Sequence, residues 1–131
     1  MAKTVLLTGG RGFFGRRIAD ALRCHGFEVA TPGRPEFDLL DPVSVERTVE
    51  AIRPAIIVHS AAYYGGLGIC LAEPAQIFHR NVLMGIHLLN AAARHDLKRF
   101  MAIGSACASA GDVAGDMKEQ QFCAGPLHPS V

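Results

Sequence analysis

Thr8-Gly9-Gly10-Arg11-Gly12-Phe13-Phe14-Gly15 places a glycine at every third position from Gly9 to Gly15. A glycine triplet alone says little, so its flanks decide the reading. Before it, Lys3–Thr8 holds consecutive apolar Val5, Leu6 and Leu7, which suits a strand buried on both faces of a parallel sheet. After it, Phe13 to about His25 reads as a helix, with Phe14, Ile18, Ala21 and Leu22 on one face and Gly26 as its stop. In a strand–turn–helix each glycine has a task. Gly9 permits the sharp turn out of the strand. Gly12 lets backbone N–H groups approach a pyrophosphate at the helix N-terminus, where the helix dipole favours anions. Gly15 lets the helix close onto the strand. The alternative is an ordinary tight turn; the position at the head of a strand–helix series favours a dinucleotide.

Outward from this turn the alternation continues. Phe27–Thr31 is a short strand stopped by Pro32-Gly33. Asp41 caps and Pro42 opens a second helix, whose inner face is Val45, Val49 and Ile52 and which Pro54 closes. Ala55–Ser60 is a third strand around Ile56-Ile57-Val58, and Ala61–Glu73, with three glycines, reads as a loop. Pro74 begins a long helix to about Ala93, and Arg99–Gly104 is a fourth strand. From Ser105 onward the periodicity fades into a loop or tail. Alternating strands and helices with short connections imply right-handed crossovers and an α/β, doubly wound parallel sheet of the Rossmann type, with expected strand order 3-2-1-4.

Size and composition narrow the function. The chain has 131 residues, enough for one domain with its own core, and half are hydrophobic, which excludes a disordered chain. Thirteen basic against twelve acidic residues leave a net charge of +1 and no basic tract, so neither nucleic acid nor an anionic membrane is expected as a partner. No apolar run reaches bilayer length and no signal peptide is visible, so the expected location is cytoplasmic. Cys24, Cys70, Cys107 and Cys123 are widely spaced and expected to be free thiols. No His/Cys spacing fits a zinc site, so no metal is expected.

The end of the second strand bears on coenzyme choice. A site for NAD usually carries an acidic residue there, on the ribose hydroxyls. Here the chain reads Thr31-Pro32-Gly33-Arg34. Arg34, with Arg11 from the glycine turn, could meet a 2′-phosphate, which favours NADP with NAD second. Otherwise both arginines are solvated surface groups.

With these residues in place, the chain resembles the extended short-chain dehydrogenase/reductase (NAD-dependent epimerase/dehydratase) family, most nearly its GDP-L-fucose synthase branch. Asp38-Leu39-Leu40-Asp41 is similar to the D-L-x-D segment bordering the adenine, and His59-Ser60-Ala61-Ala62 to the H-x-A-A segment beside the ribose and nicotinamide. Tyr63-Tyr64-Gly65-Gly66 resembles the V-G-G stretch, and Asn81-Val82 with Gly85 and Leu88-Leu89 the N-V-x-G-x-x-x-L-L helix. The resemblance covers essentially the whole chain. The coenzyme-binding candidates are thus Gly9, Arg11, Gly12, Phe13, Phe14 and Gly15 in the turn, Arg34 after the second strand, and Asp38, Leu39, Ala61, Ala62 and Tyr63.

Gly104-Ser105-Ala106-Cys107 resembles the family's G-S-S-C, with Ala106 replacing the second serine. The resemblance implies Ser105 as the catalytic serine on the substrate carbonyl and Cys107 as the proton-transfer residue of epimerisation. Inverting a carbon beside a ketone requires an acid and a base on opposite faces, and a thiol can serve as one of them. The implied reaction is NADP-dependent epimerisation and reduction of a nucleotide sugar through a 4-keto-6-deoxy intermediate. An NAD-dependent nucleotide-sugar 4-epimerase or dehydratase shares this half of the chain.

The family's Tyr-x-x-x-Lys occurs nowhere in these residues, and Gly125–Val131 resembles the segment just ahead of it. The expectation is one NAD(P)-binding domain over 1–131, incomplete at its C-terminal end and without activity as it stands. A non-catalytic dinucleotide-binding module is the alternative. The resemblance also implies a homodimer through the helix 74–93, and apolar residues on several sides of that helix lead to an expectation of self-association.

Overall fold

The computed structural model describes residues 3–105, 116, 118–121 and 125. Its elements are β1 (Thr4–Thr8), α1 (Phe13–Cys24), β2 (Glu28–Ala30), α2 (Pro42–Ile52), β3 (Ile56–His59), α3 (Leu67–Ala72), α4 (Pro74–Arg94) and β4 (Arg99–Ala102), with a 3-10 turn at Glu119–Gln121. The four strands form one parallel sheet, as the alternating pattern implies.

The strand order is β2-β1-β3-β4, not 3-2-1-4. The expected order puts the third strand, β3, beside β2, but it pairs with the other edge of β1. The connection from β2 to α2 contains Pro32 and Pro35, which have no N–H to give a ladder. It closes on itself instead. The Phe37 N–H donates to Gly33 O at 3.1 Å, and the Leu40 N–H to Asp38 Oδ1 at 3.0 Å. The chain passes through α2 and returns on the far side of β1, where Leu6 faces Ile57 and Thr8 faces His59 in register.

Each strand feeds two cores by alternation. Leu6 and Ile57 point into a buried cluster with Phe37, Leu39, Val45, Val49, Met84, Leu88 and Ala91, under α2 and α4. Val5, Leu7 and Val58 point the other way, onto Ala19 of α1. Fully burying one such aliphatic side chain stabilises the fold by about 1.5–3 kcal/mol. Both faces of β1 are therefore sealed, which is why its apolar run is unbroken.

The caps of α2 follow the sequence: Asp41 Oδ1 accepts from the Val43 N–H at 3.0 Å and Pro42 opens the helix. Gly26 ends the α1 region at φ +80°. Three expectations need correction. The packed face of α1 is Gly15, Ile18, Ala19 and Leu22, while Phe14 and Ala21 are exposed. Gly15 sets that rotation: a Cβ there would overlap Gly9 O and Gly10 Cα, so the bare side of the helix is pressed to the turn. The 61–73 segment is not all loop, since it contains the single-turn-scale helix α3. The region after Ser105 includes the 3-10 turn at Glu119–Gln121. Among the described residues no helix is long and apolar enough to cross a membrane.

Candidate coenzyme site

The chain leaves β1 toward β2 and later returns to β3 on the opposite side of β1. Ligands of open α/β sheets bind where the winding reverses, beyond the carboxyl ends of the strands. A cleft of about 540 Å³ lies at that point. Thr8 and Gly9–Gly12 supply it from β1, Pro32-Gly33-Arg34 from β2, Ser60–Tyr64 from β3, with Phe37, Leu39 and Met84 as apolar walls. Its size is that of an ordinary small-molecule or cofactor pocket.

The glycine turn leaves the first N–H groups of α1 without an acceptor inside the helix. The Gly12 N–H closes the turn on Gly9 O at 2.9 Å, and the first helical bond of α1 runs from the Arg16 N–H to Gly12 O. The N–H groups of Phe13, Phe14 and Gly15 thus have no acceptor within the helix, and Gly12 provides no side-chain cap. Gly9 is doubly constrained. Its φ is +69°, and a Cβ would lie 2.8 Å from the Ala61 nitrogen. The turn out of β1 therefore rests directly on the backbone leaving β3.

Thr8 joins the same two segments. Its Oγ1 accepts from the N–H groups of Ser60 and Ala61, each at 3.2 Å, and lies 2.7 Å from His59 Nδ1. With both lone pairs occupied, the hydroxyl proton goes to Nδ1, and the neutral imidazole carries its own proton on Nε2. Burial pushes the His59 pKa below its usual value, in keeping with a neutral ring. Beyond Ala62, Asn81 of α4 fixes the chain: the Tyr63 N–H donates to Asn81 Oδ1 at 2.8 Å, and Asn81 Nδ2 donates to Tyr63 O at 3.0 Å. The Arg80 guanidinium stands 4.4 Å from the Tyr63 ring centroid.

The β2 lip is interlocked with the turn. A Cβ on Gly10 would overlap Thr31, and one on Gly33 would lie 2.5 Å from Arg11 Nη1. Arg11 therefore lies against Gly33, next in sequence to Arg34. The Leu39 wall of the cleft is held by His87, whose Nδ1 donates to Leu39 O at 2.9 Å.

Of the residues expected to bind coenzyme, Gly9, Arg11, Gly12, Arg34, Leu39, Ala61, Ala62 and Tyr63 line this one cleft. Phe13, Phe14, Gly15 and Asp38 do not. The Phe13 and Phe14 side chains are 83% and 55% exposed, and Gly15 is packed behind the turn. Asp38 spends its carboxylate on the Leu40 N–H and its own N–H on Ser44 Oγ. Ser105 is exposed just past β4, and Cys107 lies outside the described residues. Cys24 and Cys70 are free thiols, and no group of His, Cys, Asp or Glu among the described residues could hold a metal. Thr8, Gly10, Gly33, Phe37 and Met84 were not singled out by sequence. Only the register of β1 against β3 could have pointed to Thr8, and the others depend on loop packing.

The chain is similar to several known proteins in sequence and in fold. The chain is 29% identical over 123 residues to GDP-L-colitose synthase of Yersinia pseudotuberculosis, matching 94% of this chain and 40% of that protein. It is 27% identical over 125 residues to GDP-L-fucose synthase of Azorhizobium caulinodans, matching 95% of this chain and again 40% of the relative. The chain thus spans about 40% of the length of these relatives. In fold it is similar to a GDP-L-fucose synthetase from Naegleria fowleri bound to NADP, with TM-score 0.84, 23% identity, and coverage of 98% of this chain and 38% of that one. It is also similar to UDP-glucose 4-epimerase of Thermus thermophilus in complex with NAD, with TM-score 0.77, 28% identity, and coverage of 96% and 44%. The model of the NAD dependent epimerase/dehydratase family matches residues 5–131. A parallel sheet whose winding reverses at a glycine-turn cleft, together with that match, places this chain in the NAD dependent epimerase/dehydratase family.

Proposed function

We propose that the chain is the coenzyme-binding part of an NADP-dependent nucleotide-sugar epimerase/reductase that takes a GDP-linked 4-keto-6-deoxy sugar. The observation that carries the coenzyme choice is the β2 lip. Arg11 lies against Gly33 and Arg34 follows directly, where an NAD site would present a carboxylate. The cleft fits the group. Gly9 has no room for a Cβ, and the N–H groups opening α1 have no acceptor within the helix, as a pyrophosphate site at a helix N-terminus would need. Arg11 and Arg34 would hold the 2′-phosphate, Phe37 and Leu39 would border the adenine, and Ala61, Ala62 and Tyr63 the ribose and nicotinamide. When bound, NADPH supplies hydride to the ketone carbon.

The chain's own residues then divide the remaining work. Ser105 would donate a hydrogen bond to the ketone oxygen, and Cys107 would move a proton at the carbon beside it. These residues contain no Tyr-x-x-x-Lys, so by themselves they hold the coenzyme without completing the reduction. The substrate class rests on likeness to GDP-sugar synthases. Phe78, Val82, Ile86 and Leu89 recur along one side of α4 and are all exposed, which supports pairing of α4 with a second copy of the chain.

The test is a binding titration of the chain with NADPH and with NADH, read by thermal protection. Two charge-assisted contacts to a phosphate predict at least about tenfold tighter binding of NADPH. Equal protection by the two would end the NADP assignment. It would favour the NAD-dependent 4-epimerase or dehydratase reading, to which the likeness to an NAD-bound epimerase lends weight.

A further inference from the structure

The β2 lip contains a residue whose role lies in what it lacks. Gly33 has no conformational reason to be glycine: among the described residues the glycines with positive φ are Gly9, Gly26 and Gly66. What its missing side chain provides is space. A Cβ at position 33 would come within 2.5 Å of Arg11 Nη1, 2.6 Å of Cζ and 2.9 Å of Nε, so the whole guanidinium lies against the bare Cα. Opposite, Thr31 occupies the space left by Gly10. The two loops exchange side chains over each other's glycines, and the first exchange brings Arg11 from the β1 turn to the β2 lip, against the residue that precedes Arg34.

We infer that Gly33 is a specificity-determining position: its open Cα seats the Arg11 guanidinium, and through Arg11 it sets the preference of the cleft for a dinucleotide bearing a 2′-phosphate. This rests on the coenzyme reading proposed above. Arg11 is exposed and ends in a flexible side chain, so a methyl group at position 33 displaces the guanidinium and leaves the backbone in place. Gly33 is thus a positioning residue, acting through Arg11 and touching no reacting atom. Its substitution should change which coenzyme binds while the domain still folds.

The experiment measures dissociation constants of NADPH and NADH for the unmodified chain, Gly33→Ala, Arg11→Ala and the double variant, with a thermal melt of each without ligand. The expected result is an unchanged melt for Gly33→Ala, about tenfold weaker NADPH binding and NADH binding within about twofold. Arg11→Ala should show the same selective loss, and the double variant little further loss, because both changes remove one contact. If the unmodified chain prefers NADPH and Gly33→Ala keeps that preference, this inference fails while the coenzyme reading stands. Equal binding of the two coenzymes by the unmodified chain overturns both. A Gly33→Ala chain that does not fold would mean that the glycine serves the backbone, and also overturns the inference.

Discussion

The seam of the cleft, where the glycine turn meets the backbone leaving β3, and the β4–α4 flank are packed in opposite ways. At the first, backbone packs on backbone: Gly9 on Ala61, Gly15 on Gly9 and Gly10, with Thr8 bonded to two N–H groups across the gap. At the second, large apolar groups face outward, with Phe78 72% exposed, Leu89 51% and Met101 51%. Met101 is level with Val58 on the next strand, which α1 helps to bury, yet β4 lies beyond the reach of that helix among the described residues. The difference teaches that order in this fold is local. The cleft is complete in its own contacts, whereas the flank offers surface that contacts within the described residues leave uncovered.

Three measurements would break or sharpen this contrast. The largest effect should come from Gly15→Ala. Its methyl meets fixed backbone rather than a movable side-chain tip, so the helix must shift, and unfolding free energy should fall by about 2–3 kcal/mol in a denaturant titration. A loss within about 0.5 kcal/mol would show that the cleft end is softer than its packing suggests. On the flank, Phe78→Lys with Leu89→Lys should leave unfolding free energy within about 1 kcal/mol, since both side chains are exposed. The same pair should abolish concentration-dependent self-association in sedimentation; association that survives would remove α4 from the interface.

The smallest effect should be a pH dependence at the cleft. The folded-state pKa of His59 lies below its usual value near 6.5, because burial disfavours the imidazolium. Stability from this residue is therefore full above about pH 6.5 and is lost as pH falls from there through the lowered folded value, since the unfolded chain binds the proton first. The carboxylates of Glu46 and Asp96, held low by His95 and Lys98, lose their contribution only at pH values below about 4.5 and 3.8. Melting temperature should drop between pH 7 and pH 5.5, and His59→Gln should flatten that slope. An identical slope in the variant would assign the titration elsewhere.

Features fixed within a few residues were legible from the sequence. The Asp41-Pro42 opening of α2, the stop at Gly26 and the inward Val45 and Val49 depend on local capping and helical period, and all are present. The glycine turn was legible for the same reason. Strand order was not, because whether β3 pairs with β2 or with the free edge of β1 is a choice between segments far apart in the chain, which no local pattern reports. The packed face of α1 does not follow hydrophobicity alone, since close packing at Gly15 outweighs the apolar Phe14. In the site, the contacts of Arg11 with Gly33 and of Thr8 with His59 join segments far apart in the chain, and no spacing rule reports them.

The Thr8 hydroxyl has one further consequence, for binding kinetics. By holding the Ser60 and Ala61 N–H groups, it fixes the β3 lip to the end of β1 before any ligand arrives. The entropy of ordering that lip is spent during folding and is not charged to each encounter. A dinucleotide should accordingly associate in a single concentration-dependent phase, with no slow rearrangement of the lip after contact.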